Sequence, residues 1–167
     1  MGFFYNCFVC GIPMLFPYHF NSPLTLSAVK IQRENLKEFE RQHFADYSVF
    51  ELIASRTQFC DNLLKQLWQQ FELDKANLTL IAVGGYGRQE IFPLSDLDVL
   101  ILSKEERESE TEEKIAQFVQ FLWDCGFDVG HSVRSLEECE KEGKQDITIA
   151  TNLLESRYLS GDLSLFN

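Results

Sequence analysis

The sequence predicts an α+β domain, a small mixed β-sheet flanked by helices, and three features carry that expectation. The stretch Leu80–Leu102, LIAVGGYGRQEIFPLSDLDVLIL, reads as a strand, a glycine turn, a connection and a second strand. Its apolar halves are nearly continuous, as in strands covered on both faces. Upstream, Leu52, Ile53, Phe59, Cys60, Leu63, Leu64, Leu67 and Phe71 recur at three- and four-residue steps, the spacing of one buried helical face. Downstream, helical and extended patterns alternate again and are punctuated by glycines at 126 and 161. With 167 residues, 45% of them hydrophobic, the chain suits one domain with a real core.

Taken in order, residues 1–25 read as an irregular arm. The first 29 residues hold no Asp, Glu, Lys or Arg and show neither the basic n-region nor the small-residue cleavage site of a secretory signal. Pro13, Pro17, His19, Asn21 and Pro23 interrupt any membrane-spanning run, so no membrane association is expected. Met14 offers a second start, which would leave residues 1–13 outside the natural product. The domain proper is expected over 26–167. Leu26–His43 is a polar, helix-favouring segment with Val29, Leu36, Phe39 and Phe44 as sparse apolar contacts. The amphipathic helix follows over Asp46–Phe71; Arg56 lies within its stripe, read as a packed stem with its head in water, the alternative being a phosphate-facing role.

Leu78–Val83 is the first strand and Asp96–Leu102 the second. The acidic segment KEERESETEE opens a helix that continues through Ile115, Phe118, Val119 and Leu122 and ends in a left-handed cap at Gly126. Phe127–Val133 is a third strand, and Ser135 caps a short helix over 136–142, with Glu138 completing a capping box. A helical turn near Asp146–Thr151 and a strand over Leu153–Leu159 close the chain.

The chemistry concentrates in Leu80–Leu102. Side chains two apart on a strand share a face, which sets the Asp96 and Asp98 Cα atoms roughly 6.5–7 Å apart. A hydrophobic core has no use for two carboxylates there, and half-burying them costs several kcal/mol unless a cation or hydrogen-bond donors offset it. Gly84, Gly85 and Gly87 bring bare backbone N–H groups suited to phosphate oxygens, and Arg88 and Ser95 are near enough in sequence to assist. Two divalent ions bridged by shared carboxylates would serve in-line displacement at an α-phosphate, and a third acid is usual; Glu155, Asp128 and Asp146 are the candidates.

Composition bounds the partners. Twenty-six acidic residues against 15 basic ones give a formal charge of −11, with no Lys/Arg stripe to meet a nucleic-acid backbone. A nucleoside triphosphate accompanied by metal remains compatible. The five cysteines, at 7, 10, 60, 125 and 139, include one CxxC without a second ligand pair, so free thiols in a reducing cytoplasm are expected.

Gly84-Gly85, ten intervening residues and Asp96-Leu97-Asp98 with apolar neighbours form hG[G/S]…DhDh, which resembles the DNA polymerase β-like nucleotidyltransferase superfamily. With FLWDCGFDVGHSVR (121–134) and DITIATNLLESRYLSGD (146–162), the likeness narrows to the N-terminal catalytic domains of the bifunctional PII uridylyltransferase/uridylyl-removing family. That resemblance implies a nucleotidyltransferase fold and transfer of UMP from UTP to a tyrosine hydroxyl on the nitrogen-regulatory PII protein, with Mg²⁺. It assigns metal and catalytic roles to Asp96 and Asp98 and nucleotide contacts to Gly84 and Gly85. Its acid-x-Arg strand motif favours Glu155, in Glu155-Ser156-Arg157, as third ligand, with Asp128 second. The rivals are another transferase of the superfamily, or an inactive truncated form or interaction module. Gln89 departs from the glycine more usual in GGYGRGE, and no HD hydrolase or ACT segment follows, so neither UMP removal nor glutamine sensing is expected of this chain.

Other residues carry duller alternatives. His131 and Arg134 lie on the third strand, where they could face the nucleotide or serve as structure. Trp68 and Trp123 read as core, and Tyr86 either packs beneath the glycine turn or lies beside the nucleotide.

Overall fold

A computed structural model describes residues 15–104 and 108–167. Helices α1 (Leu26–His43) and α2 (Val49–Gln70) precede strand β1 (Leu78–Ala82) and the one-turn helix α3 (Gly84–Gly87). Strand β2 (Val99–Ser103), helix α4 (Ser109–Asp124), strand β3 (His131–Ser135), helices α5 (Leu136–Gln145) and α6 (Ile147–Leu154) and strand β4 (Arg157–Gly161) follow. The sheet runs β3-β2-β1-β4. β1 is antiparallel to β2 and β4, and β2 is parallel to β3, so the sheet is mixed as expected.

Caps decide the helix boundaries. α2 starts at Val49 rather than Asp46 because the Ser48 hydroxyl accepts the Glu51 N–H while Glu51 reaches back to the Ser48 N–H, a reciprocal capping box. The same device at Ser135 and Glu138 starts α5 as predicted, although α5 runs on to Gln145. Gly126, at φ +82, ends α4 with its N–H on the Trp123 carbonyl and the Phe127 N–H on the Leu122 carbonyl.

The continuous apolar strands are explained by cover on both faces. Leu78, Leu80, Ala82, Val99 and Ile101 face the main core, with Phe59, Leu63, Leu67 and Trp68 of α2, Val29 and Leu36 of α1, and Phe118 and Leu122 of α4. Ile81, Val83, Leu100 and Leu102 face the other way, onto Cys139 of α5 and Leu165, with Leu153 of α6 alongside. Cys60, Cys125 and Cys139 are buried free thiols, and burial pushes Cys60 up to about 12 and Cys125 up to about 11; Cys7 and Cys10 lie outside the described residues.

Three expectations are corrected here. Phe44 is exposed, being the residue that ends α1 rather than part of its buried face. Trp123 is 46% exposed instead of core; its indole N–H points to the Val129 carbonyl at 3.4 Å and its ring meets His131 edge-on at 5.6 Å. Arg56 neither reaches water nor faces a phosphate. It is 8% exposed and forks onto Glu40 of α1, with Nε at 2.8 Å from one carboxylate oxygen and an Nη on the other.

That pair ties α1 to α2 across the core, and removing one partner leaves a buried charge alone. Glu40→Ala is expected to cost about 3–5 kcal/mol in urea unfolding, whereas the double variant Glu40→Leu/Arg56→Met should recover most of it. A Glu40→Ala cost below about 1 kcal/mol would show that Arg56 escapes to solvent.

Candidate functional site

The two central aspartates sit just before β2 rather than on it, because the regular strand begins at Val99. The alternation that put them on one face nevertheless holds. The Leu97 N–H donates to the Asp128 carbonyl at 2.8 Å and the Val99 N–H to the Gly130 carbonyl at 2.9 Å, carrying the parallel β2–β3 ladder two residues upstream. Leu97 is therefore buried in the main core while Asp96 and Asp98 project to the opposite side. By the same ladder Asp128 and Gly130 run beside Asp96 and Asp98. The third strand was expected from Phe127; its regular part starts at His131, and Asp128–Gly130 supplies only this extension.

Gly130 is what admits Asp98. A Cβ there would stand 2.2 Å from the Asp98 Oδ1, closer than any side chain allows. Across from it, Gly84 takes φ +57, a left-handed conformation that glycine adopts without strain, and a Cβ built on it would lie 3.5 Å from the Asp98 Oδ2 and 3.7 Å from the Asn152 Oδ1. Burial, and then the negative charges of Asp96 and Asp128, hold the Asp98 carboxyl above the usual carboxylate range. Asp96, Asp98 and Asp128 form no ion pair with a described residue. A cleft of about 260 Å³ opens beside Asp98, bounded also by Val83, Gly130, Ser132, Ile149 and Asn152.

The other expected contacts are placed differently. Glu155 lies on no strand: α6 extends to Leu154 and Glu155 is its C-cap, so the expected strand over Leu153–Leu159 begins only at Arg157. Asp146 caps the start of that helix, accepting the Thr148 N–H at 2.7 Å, which occupies another candidate carboxylate. The Glu155 carboxylate takes Arg88, whose Nε also donates to Glu90 at 2.8 Å. Ser95 turns its hydroxyl to the Phe92 N–H at 3.1 Å, shaping the connection between the glycine turn and the aspartates. Arg134 and His131 do border the cleft, Arg134 paired with Glu142 at 3.0 Å and the His131 ring turned to Trp123.

Tyr86 packs beneath the turn, its hydroxyl on Asp61 at 2.8 Å, and burial followed by the Asp61 charge pushes its phenol well above the ordinary value. Gln89 holds φ +65, which explains why glycine suits that position better. Gly130, Ser132 and Asn152 fall within the stretches 121–134 and 146–162 but were not singled out as site residues, and Asp61 was missed because it hides among the apolar residues of α2. Arg157 was in view only as the partner of an acid.

A magnesium ion fits this donor set. Among the described residues no three Asp, Glu, His or Cys side chains form a ready cage. Mg²⁺ is commonly held by one or two carboxylates, completed by substrate phosphates and waters, which is what Asp96 and Asp98 beside an open cleft can offer. No helix among the described residues is long and apolar enough to cross a membrane.

Comparison with known proteins agrees with the geometry. The model of the DUF294 nucleotidyltransferase family matches residues 34–133. The chain is 65% identical over 154 residues to the bifunctional uridylyltransferase/uridylyl-removing enzyme of Pasteurella multocida (strain Pm70), covering 92% of this chain and 18% of that protein. For the enzyme of the same description from Haemophilus influenzae (strain PittEE) the identity is 63%, with the same two shares, and for that of Idiomarina loihiensis it is 47% over 85% of this chain and 16% of the relative. The chain thus spans less than a fifth of the length of these relatives.

Gly130→Ala is expected to leave the circular dichroism spectrum intact while weakening Mn²⁺ binding, read by electron paramagnetic resonance, by about 10-fold or more through displaced Asp98; unchanged binding would mean that Asp98 is not a ligand. A second expectation concerns stability. Because the folded state raises the Asp98 pKa, the ionised group costs stability once pH passes above that value and costs none below the ordinary carboxylate range. Asp98→Asn should therefore raise Tm of the metal-free protein at pH 7 by about 1–4 °C, and the gain should disappear in acid.

Proposed function

Since the chain belongs to the DUF294 nucleotidyltransferase family, we propose that it transfers UMP from UTP to a tyrosine hydroxyl of the PII protein, with pyrophosphate leaving. The observation that carries the transfer chemistry is the unpaired carboxylate face of Asp96, Asp98 and Asp128 beside a glycine turn and an open cleft. The choice of UTP rests on the named activity of the relatives at 63–65% identity, and the choice of PII on the motif resemblance.

Asp96 and Asp98 would hold the magnesium ions, Asp98 from the more enclosed position against Gly84 and Gly130. When bound, magnesium supplies charge neutralisation and Lewis acidity at the α-phosphate. The first N–H groups of the turn at Gly84 and Gly85 have no intrahelical acceptor and are suited to triphosphate oxygens. Arg88 stands at the end of that turn, where a phosphate would compete with Glu90 and Glu155 for its guanidinium. We assign the third carboxylate to Asp128, whose charge reaches Asp98, and give Glu155 the task of anchoring Arg88. Ser132 and Asn152 border the nucleotide's cleft.

The test is incubation of the chain with each labelled nucleoside triphosphate and Mg²⁺, with and without PII. Label from UTP on PII is expected, and its loss by about 10³-fold or more in Asp96→Asn and Asp98→Asn. Label from ATP in preference to UTP would sink the uridylyl assignment, and near-normal activity in either aspartate variant would sink the metal assignment. An inactive Asp128→Asn beside a partly active Glu155→Gln is expected; the reverse would make Glu155 the third ligand.

A further inference from the structure

Three segments remote in sequence meet under the glycine turn, and none of their contacts is required to bind a metal or to fill the core. Arg157, the first residue of β4, directs two N–H groups at Asp61 of α2, Nη1 to Oδ2 at 2.7 Å and Nη2 to Oδ1 at 3.0 Å. Its remaining donors go to the main chain of the turn, Nη2 to the Tyr86 carbonyl at 3.2 Å and Nε to the Gly87 carbonyl at 3.3 Å. The guanidinium also lies over the Tyr86 ring, 5.4 Å from its centre, and the Tyr86 hydroxyl returns to Asp61. Gly87 completes the approach: a Cβ there would stand 1.9 Å from the Glu155 carbonyl oxygen, so turn and β4 entry touch backbone to backbone.

The consequence is directional. Both groups of the turn that Arg157 holds are carbonyls near its end, while Gly84 at its start stands against the Asp98 carboxylate. The N–H groups that follow these carbonyls, of Gly87 and Arg88, are bonded back to the Val83 and Gly84 carbonyls, so pinning the end of the turn holds its start, where the Gly84 and Gly85 N–H groups lie. A half-buried ion pair of this kind contributes little net stability compared with apolar packing, but its fork geometry defines position. We propose that Asp61 and Arg157 form a positioning unit that holds the glycine turn in register with Asp98, so that the nucleotide's phosphates meet a prealigned loop. Neither residue touches the substrate. The nucleotide part of this inference rests on the transferase reading above; the immobilisation of the turn does not.

The experiment uses the full chain with Asp61→Asn and Arg157→Lys, each keeping size and polarity while losing the fork. Amide hydrogen exchange and steady-state kinetics are measured well below each variant's Tm. Exchange at residues 84–88 is expected to quicken by about 10-fold or more relative to α4. KM for Mg-UTP should rise about 10-fold, with KM for the protein acceptor unchanged. KM does not depend on the fraction of folded enzyme, so a merely structural role would lower Tm and the apparent kcat alone. Exchange at 84–88 that quickens no more than α4 overturns the proposal, as does an unchanged nucleotide KM in an active variant. If the wild-type chain transfers no nucleotide at all, the transferase reading fails while the exchange measurement still decides the positioning role. Should Asp61→Asn fail to fold, Tyr86→Phe removes only the phenolic contact to Asp61 and is read on the same amides, with faster local exchange expected and wild-type protection counting against the unit.

Discussion

The Arg157–Asp61 fork is the contact on which the site's geometry depends. It joins the second helix, the glycine turn and the last strand at one point, through two bonds to a carboxylate and two to main-chain carbonyls. A turn rich in glycine has little stiffness of its own, because glycine loses more conformational freedom on ordering than any other residue. The order must come from outside the turn, and a planar guanidinium with fixed donor directions supplies it better than a flexible ammonium. Beside the turn, Asp98 is confined between Gly84 and Gly130.

The carboxylates show the opposite logic. Asp61 is satisfied by Arg157 and Tyr86, Glu40 by Arg56, and Glu155 by Arg88, so these three partly buried acids have partners. Asp96, Asp98 and Asp128 stand together with no described ion-pair partner, and the Asp98 pKa is raised by burial and by its neighbours. Stability alone disfavours such an arrangement, which is in keeping with the proposed cation-recruiting role.

Much of this was legible in the sequence. The period of the α2 stripe, the capping box at Ser135 and the left-handed glycine at 126 act within a few residues, so local pattern was enough to locate them, whereas the equally local box at Ser48 was overlooked. The paired aspartates were found although their strand was drawn too early, since the two-residue alternation persists in the extended approach to Val99. Glu155 was misplaced because the helix expected over Asp146–Thr151 runs on to Leu154, leaving the strand to begin at Arg157 instead of Leu153. Arg56 was misread because its partner Glu40 is on another helix, and Trp123 because a helical apolar position can still face a sheet edge.

The sequence by itself determined most element types and the two-sided burial of the central strands, and it marked the residues proposed to meet metal and phosphate. Each of these follows from short-range periodicity or from the chemistry of a single side chain. Only the tertiary structure decided that Asp128 rather than Glu155 stands beside the aspartates, that Gly130 makes room for Asp98, and that Arg157 serves the glycine turn. Those are meetings between residues from about 30 to nearly 100 positions apart, set by sheet order and helix packing, and no local pattern encodes them.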